Sequence, residues 1–132
     1  MAILDHMTLI VSDFPRSKAF YEKALGPLGI TKQMEFGPAC GFGRDRKPEF
    51  WVGSGPTSFQ KPEHLRIITP MHVAFAAKSR AEVDAFYVAA IAAGAKDFGP
   101  PGVRADYHPT YYGAFVLDPD GHNVEAVYHG PP

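Results

Sequence analysis

The feature that most constrains the fold of this chain is an internal repeat. When the 132-residue sequence is shifted by half its length, 66 residues, identical residues align without a gap: His6 with His72, and Ala19-Phe20-Tyr21 with Ala85-Phe86-Tyr87. After a gap, two further pairs align: Phe42 with Phe115, and Asp45 with Asp118. Three consecutive identities and a histidine are hard to obtain by chance, so the chain is predicted to contain two copies of one unit of about 60 residues.

The first copy has the pattern of one strand, one helix and three more strands. Within residues 4–12, apolar side chains occupy every second position from residue 7 to residue 11, and the positions between them, from His6 onward, form a second face. This alternation is typical of a strand with one buried face. Asp13, followed by Phe14-Pro15, is typical of a helix start, and Gly26 of a helix end. Short strands are predicted over residues 31–36, 40–44 and 50–53.

The second copy repeats this order. A strand is predicted over residues 71–77, a helix over 80–93, and strands over 96–98, 112–117 and 123–128. The run Asp118-Pro119-Asp120-Gly121 is a strong turn signal between the last two strands. The segment between the copies is rich in Pro, Gly, Ser and Lys, which predicts repeat 1 over about 1–55, a linker over about 56–69 and repeat 2 over about 70–130. Each unit is therefore predicted to be βαβββ.

Composition excludes several classes of function. Hydrophobic residues make up 45% and charged residues 20%, as in an ordinary soluble globular protein, and the length fits one domain, residues 1–132. A formal net charge of -1 gives no electrostatic support for nucleic-acid binding. No apolar run approaches the roughly 20 residues that a membrane helix needs. We therefore expect neither a nucleic acid nor a membrane as a partner.

The single cysteine, Cys40, excludes an internal disulfide. The N-terminus has no basic stretch followed by an apolar run, so no signal peptide is predicted. Together these features predict a cytoplasmic protein. Because no basic residue is immediately adjacent to Cys40, we interpret it as a small strand residue rather than a nucleophile.

Several stretches carry a family resemblance. They are Leu4-Asp5-His6-Met7-Thr8-Leu9-Ile10-Val11-Ser12-Asp13, Ser17 with Ala19-Phe20-Tyr21, His72-Val73-Ala74-Phe75, and Phe115-Val116-Leu117-Asp118-Pro119-Asp120-Gly121-His122-Asn123-Val124-Glu125. In these residues the chain resembles the vicinal oxygen chelate superfamily: glyoxalase I, fosfomycin-resistance proteins, extradiol dioxygenases and bleomycin-resistance proteins. The resemblance implies a single glyoxalase-like α+β domain. Its two βαβββ repeats would form an open, cup-shaped mixed sheet with the helices on the outside.

The resemblance also implies a metal site. Ligands in such families come from the first strand of each repeat and the last strand of the second, which here places His6, His72 and Glu125 at the ligand positions. Two imidazoles and one carboxylate suit a divalent ion such as Zn, Fe, Mn, Ni or Co, and leave coordination positions open. The ordinary alternative, two strand histidines without a metal, is less favoured because the pair occupies identical repeat positions.

A fourth ligand is often present in these families, on the last strand of the first repeat. Here that position falls on Trp51 or Val52, neither of which binds a metal. Glu49 would share a face with Trp51 and could supply a fourth ligand, so this question stays open. The three-ligand arrangement is favoured, with Trp51 as an apolar wall that contacts the substrate.

The segment 104–112 is a second candidate for chemistry, because one Arg, one His and three Tyr lie close together. Arg104, Tyr107 and Tyr111 are predicted to bind substrate. His108 is a predicted proton-transfer residue and Tyr112 a predicted donor to an oxyanion. An equally weighted alternative is a surface loop held by packed tyrosines, often at a subunit interface. His122, in the final turn, is expected to be exposed.

The resemblance therefore implies a metal-dependent enzyme that holds vicinal oxygens of a small molecule and performs glyoxalase-like lyase, isomerase, transferase or dioxygenase chemistry. The alternative is a metal-free, bleomycin-resistance-like binding protein. Unpaired sheet edges further predict a homodimer. The cup could close within one chain or across that dimer.

Overall fold

The computed structural model describes residues 3–132. The first half contains β1 (Met7–Ile10), α1 (Phe14–Leu25), β2 (Thr31–Phe36), β3 (Ala39–Arg44) and β4 (Lys47–Gly53). The second half contains β5 (His72–Ala76), α2 (Arg80–Ala92), β6 (Lys96–Val103), β7 (Tyr112–Leu117) and β8 (Asn123–Tyr128). Short 3-10 helices cover Gly26–Leu28 and Pro62–Leu65. The predicted α+β class with two βαβββ repeats is confirmed.

Both helices begin after a residue whose side chain caps the helix N-terminus. The Asp13 side chain accepts a hydrogen bond from the Arg16 backbone N–H at 3.1 Å, and Ser79 accepts one from Glu82 at 3.1 Å. Each cap satisfies a backbone donor that would otherwise lack an intrahelical partner. The helices then cover one face of each sheet with buried residues, including the equivalent pair Phe20 and Phe86.

The strands form two open, four-stranded mixed sheets, each containing one repeat. The strand orders are β1-β4-β3-β2 in the first sheet and β5-β8-β7-β6 in the second. In each sheet the first and last strands of the repeat pair in parallel and the others are antiparallel. The helices pack against each other, and one hydrophobic core spans both repeats. The opposite face of each sheet therefore stays open. Neither helix described in residues 3–132 has the length and apolar character that crossing a bilayer needs.

Strand β6 is longer than its sequence predicts, since it extends beyond Phe98 through Gly99-Pro100-Pro101-Gly102 to Val103. Prolines cannot donate to a strand ladder, but β6 lies at the edge of its sheet, where this costs little. Register shifts beside Gly99 also accommodate the run.

The observed registers correct one part of the repeat alignment. Thr8 pairs with Trp51 and Ala74 with Glu125, so Trp51 is the structural equivalent of Glu125. Gly41 pairs with Trp51 and Phe115 with Glu125. The residue equivalent to Phe115 is therefore Gly41, and aligning Phe42 with Phe115 is wrong by one residue. In a strand, a shift of one residue moves a side chain to the opposite face.

The turn after β7 joins the repeats through polar contacts, some of them buried. Asp118 accepts hydrogen bonds from the Tyr21 hydroxyl at 2.5 Å and from the His122 backbone N–H at 2.9 Å. Asp120 accepts from the Ser12 backbone N–H and hydroxyl. The expectation that His122 is exposed is wrong: it is buried, Nδ1 accepts from the Met71 backbone N–H, and Nε2 contacts the Ile10 carbonyl.

Candidate metal and substrate site

A histidine and a carboxylate meet on the open face of the second sheet. His72 Nε2 lies 3.0 Å from Glu125 Oε1. The strand register produces this contact, because His72 begins β5 and pairs with Asn123, two residues before Glu125 on the parallel neighbour β8. The Glu125 side chain is 1% exposed and that of His72 is 49% exposed. The Glu125 carboxylate is therefore buried, whereas the His72 imidazole is half exposed to solvent.

Tyr111 fixes the second oxygen of Glu125. Its hydroxyl donates a hydrogen bond to Glu125 Oε2. Gly113 makes room for this contact, since a Cβ there would lie 3.1 Å from Tyr111 Cε1 and 3.2 Å from Glu125 Oε2. Burial and the Glu125 carboxylate raise the pKa of Tyr111 well above its usual value. The phenol therefore stays protonated and remains a donor.

The hydrogen bonds of His72 restrict where protons can lie. His72 Nδ1 is 3.2 Å from the Asn123 carbonyl oxygen, and a carbonyl only accepts, so Nδ1 carries the proton in this contact. Nε2 then faces the carboxylate directly. The 3.0 Å separation between these two atoms is that of a hydrogen bond, which needs a proton on one of them. A metal ion bound by both atoms would replace that proton.

His72 and Glu125 are residue types that bind divalent metal ions through nitrogen and oxygen. At a separation of 3.0 Å, His72 Nε2 and Glu125 Oε1 are close enough to belong to one such site. His72 Nδ1 contacts a carbonyl and Glu125 accepts from Tyr111, and contacts of this kind orient the ligands in protein metal sites.

The third predicted ligand, His6, is not brought to this pair. It precedes β1 at the edge of the first sheet, and its Nδ1 lies 2.7 Å from Asp5 Oδ1. His6 and His72 border the same cleft of about 490 Å³ between β1 and β5. Within residues 3–132, however, no three His, Cys, Asp or Glu side chains converge closely enough to hold a metal ion.

Trp51 lies on the open face of the first sheet, at the position equivalent to Glu125. A register shift at β3–β4 separates the Phe42–Phe50 pair from the Gly43–Pro48 pair, which leaves Glu49 as an extra residue. A Cβ on Gly41 would lie 2.8 Å from both Pro48 Cβ and Trp51 Cε2, so Pro48 takes the place beside Trp51. The expectation that Glu49 shares a face with Trp51 is therefore wrong. Glu49 is exposed at the cleft between the sheets.

Arg104 and Phe115 extend the site along the second sheet. The His72 and Phe115 rings are 6.2 Å apart with an interplanar angle of 23°. The Arg104 guanidinium lies 5.4 Å from the Phe115 ring centre and donates to the Pro100 carbonyl. Tyr107 packs edge-on against Tyr111 at 4.8 Å. The Arg104 guanidinium and the rings of Phe115 and Tyr107 therefore lie on the same side of the second sheet as Glu125.

His108 forms a pair with His129, a residue that the sequence did not identify as part of the site. His108 Nδ1 accepts from the Thr110 backbone N–H at 3.2 Å, which leaves the proton of a neutral ring on Nε2. His108 Nε2 is 2.5 Å from His129 Nδ1, and the rings stack at 4.7 Å. Both imidazoles contact the Tyr111 ring. The two histidines are 21 residues apart, so only the meeting of the 104–112 segment with the end of β8 reveals the pair.

Tyr112 does not lie at this site, which corrects its predicted role as an oxyanion donor. Its hydroxyl donates to Asp84 Oδ1 at 2.7 Å, and the Arg80 guanidinium lies 4.8 Å from its ring centre, both on α2. The cause is strand alternation, since adjacent residues point to opposite faces. Tyr111, one residue earlier, takes the place beside Glu125.

Comparison with known proteins agrees with this architecture. A solved glyoxalase/bleomycin resistance protein from Albidiferax ferrireducens T118 is 28% identical, has a TM-score of 0.79, and aligns over 98% of this chain and 100% of its own. A lactoylglutathione lyase from Agrobacterium tumefaciens is 20% identical with a TM-score of 0.68, over 96% of this chain and 92% of its own. At that identity the likeness shows the fold alone. No curated protein matches the chain significantly in sequence.

The two-repeat α+β fold, with a histidine–carboxylate pair on an open sheet, is that of a glyoxalase-type domain. The model of the Glyoxalase/Bleomycin resistance protein/Dioxygenase superfamily matches residues 3–126, and the chain belongs to this superfamily. Its members bind small molecules, commonly with a divalent metal ion.

Proposed function

We propose that the chain is a metal-dependent enzyme of the glyoxalase/dioxygenase type. It acts on a small molecule through two adjacent oxygens, by lyase, isomerase, transferase or dioxygenase chemistry. The observation that carries this proposal is the His72–Glu125 pair, 3.0 Å apart and oriented by Asn123 and Tyr111. A bound Zn, Fe, Mn, Ni or Co ion would supply Lewis-acid polarisation of the substrate oxygens.

The third ligand in this proposal is His6 from a second copy of the chain. His6 and His72 occupy equivalent repeat positions, and both lie at edge strands, β1 and β5, that are open to further pairing. A homodimer that joins these edges would place the open face of one protomer's first sheet opposite the second sheet of its partner. One cup would then contain His6 from one protomer and His72 and Glu125 from the other.

The other site residues are assigned by their contacts. Arg104 binds an anionic group of the substrate, and Tyr107 lines the wall beside it. Tyr111 holds Glu125 in one orientation. His108 transfers a proton at Nε2, the atom that now faces His129.

Metal analysis of protein purified without chelators tests the proposal. We expect bound metal, or uptake of at least one of Zn, Fe, Mn, Ni and Co after dialysis. His72→Ala should abolish this uptake, whereas His64→Ala, which changes an exposed histidine of the linker, should not. Protein that is metal-free and takes up none of the five ions would contradict the enzyme proposal.

A metal-free small-molecule binding protein is the second candidate. It is favoured by the observation that only two metal-binding side chains converge within the described part of one chain. In that case His72 and Glu125 would share a proton, and the open sheets would still bind a ligand. The same metal analysis separates the two candidates.

A further inference from the structure

The open face of the first sheet carries two aromatic rings, those of Trp51 and Phe36. The proposed function assigns neither of them a role. Trp51 pairs with Gly41, which pairs with Met34 on the next strand. Phe36 lies two residues beyond Met34 and therefore shares this face. We call the surface formed by Phe36, Gly41 and Trp51 the aromatic platform.

Gly41 determines the orientation of the indole. A Cβ at this position would lie 2.8 Å from Trp51 Cε2 and 3.0 Å from Cδ2. Only glycine allows the ring so close to the backbone of β3, so the indole lies over the strand instead of standing away from it. The Phe36 ring is nearly parallel to the indole, with 12° between the planes and 6.1 Å between the centres. The two rings are therefore nearly parallel neighbours on the open face of the sheet.

This surface is exposed, and it leads toward a predicted metal ligand. Phe36 is 60% exposed, and Met34 beside it is also exposed. A shallow depression of about 360 Å³ is bordered by Trp51, Thr8, Lys47 and His6. Its volume is sufficient for a small ligand. A ring lying on Trp51 would therefore have its substituents next to His6.

We propose that the aromatic platform binds a planar aromatic ring of the substrate. This inference rests on the proposed function, because the cup would place the ring on the platform while the substrate oxygens reach the metal site. The repeat explains the division of roles. At equivalent strand positions, one sheet carries the carboxylate Glu125 and the other carries the indole of Trp51. A flat surface makes full contact with a flat ring, whereas a puckered saturated ring meets it at fewer atoms.

The single tryptophan gives a direct measurement, since the ¹H–¹⁵N spectrum contains one indole N–H signal, that of Trp51. The probes are 2-naphthoate and its saturated counterpart decahydro-2-naphthoate, which share the carboxylate and differ in planarity. We expect 2-naphthoate to shift the indole signal with a saturating curve and the saturated acid to leave it in place. Equal responses to both acids would overturn the proposal.

Three variants connect the shift to the platform. Phe36→Leu should weaken 2-naphthoate binding about threefold to tenfold, the range expected for one aromatic contact. Phe36→Tyr should retain it. Phe59→Leu, at a residue that is 81% exposed and lies in the linker, should leave it unchanged. If Phe36→Leu behaves like Phe59→Leu, the platform does not bind the ring.

Two further outcomes separate this inference from the proposed function. In His72→Ala, which lacks the metal ligand on the other sheet, the 2-naphthoate shift should persist. A persistent shift in protein that takes up no metal would refute the enzyme proposal and retain the ring-binding platform. An indole signal that responds to protein concentration but not to 2-naphthoate would show that a second copy covers the platform, and would overturn the inference.

Discussion

Glu125 is a buried carboxylate on a face that is otherwise open, and its neighbours explain why it is retained there. A buried carboxylate is costly unless its oxygens have partners. Tyr111 satisfies one oxygen and His72 the other, so the group is held in one orientation. The same contacts that make burial tolerable also direct one oxygen and one imidazole nitrogen toward a common point.

Replacing Tyr111 tests this orientation. Tyr111→Phe removes only the hydroxyl that donates to Glu125, and we expect metal affinity to fall about tenfold to a hundredfold, as for lost outer contacts in other metal sites. Titration calorimetry with the ion identified by metal analysis measures the change. Tyr107→Phe is the matched control, because Tyr107 is exposed and contacts Tyr111 through its ring. Equal affinities in the two variants would show that Tyr111 does not orient Glu125.

Cys40 is a residue of strand β3, as its sequence context predicted, and we expect its thiol to be unreactive. It is buried, and burial raises the pKa of the thiol to about 11. In the unfolded chain the pKa of this thiol is about 9. The folded protein should therefore contain about a hundredfold less Cys40 thiolate at pH 8 than the unfolded chain does. A disulfide reagent should therefore react at least about a hundredfold more slowly with the folded protein than with protein in urea. Similar rates would contradict the assignment.

The raised pKa also predicts a pH dependence of folding. Because the folded state holds the thiol proton more tightly, its contribution to stability is fully present below about pH 9 and is lost as the pH rises through about 11. Urea unfolding of the wild type and of Cys40→Ala across this range isolates the effect. The stability difference between the two proteins should shrink as the pH rises, and a constant difference would contradict the prediction.

At the scale of elements, the turn between β7 and β8 contributes more to the fold than its turn residues suggest. Asp118 accepts from Tyr21 in α1, which ties the second repeat to the first. Tyr21→Phe leaves the buried carboxylate without this donor, and we expect a loss of about 1–3 kcal/mol in the free energy of unfolding. Tyr87→Phe changes the equivalent residue of the other repeat, which is only half-buried, and should cost less. Urea unfolding of both variants measures the difference, and equal losses would contradict this role.

The elements themselves follow closely from sequence, for physical reasons that differ between regions. Alternating apolar residues and caps are local signals, so the ranges Thr31–Phe36, Tyr112–Leu117 and Asn123–Tyr128 are predicted without error. Strand β6 is not, because its Gly-Pro-Pro-Gly run is a local turn signal that an edge position overrides. Local preference fails where a neighbouring strand supplies the decisive contacts.

The candidate site is less predictable, because it depends on register. The proximity of His72 and Glu125 is consistent with their assignment as ligands, and it arises from pairing between β5 and β8. Tyr112 and Tyr111 are adjacent in sequence. Which of them faces Glu125 depends only on how side chains alternate between the two faces of the sheet at β7. In β4, the extra residue at Glu49 likewise decides which side chains share a face with Trp51. The His108–His129 pair needs contact between distant segments and has no sequence signal.

At the scale of the whole molecule, the two repeats share one core but keep their open faces apart. Within residues 3–132 the sheets are not joined by strand pairing, and His6 does not join His72 and Glu125. In the proposed homodimer each sheet would contribute half of a cup. A two-fold axis is the simplest way to align both halves into two identical sites.

The most direct test is the metal content of a mixed dimer made from His6→Ala and Glu125→Ala protomers. Each variant alone should be empty, because every site lacks one ligand. A dimer purified through a different tag on each protomer should contain about half the wild-type metal, because one of its two sites combines His6 of the Glu125→Ala protomer with His72 and Glu125 of its partner. A mixed dimer as empty as the parent variants, or a chain that stays monomeric, would contradict the shared site.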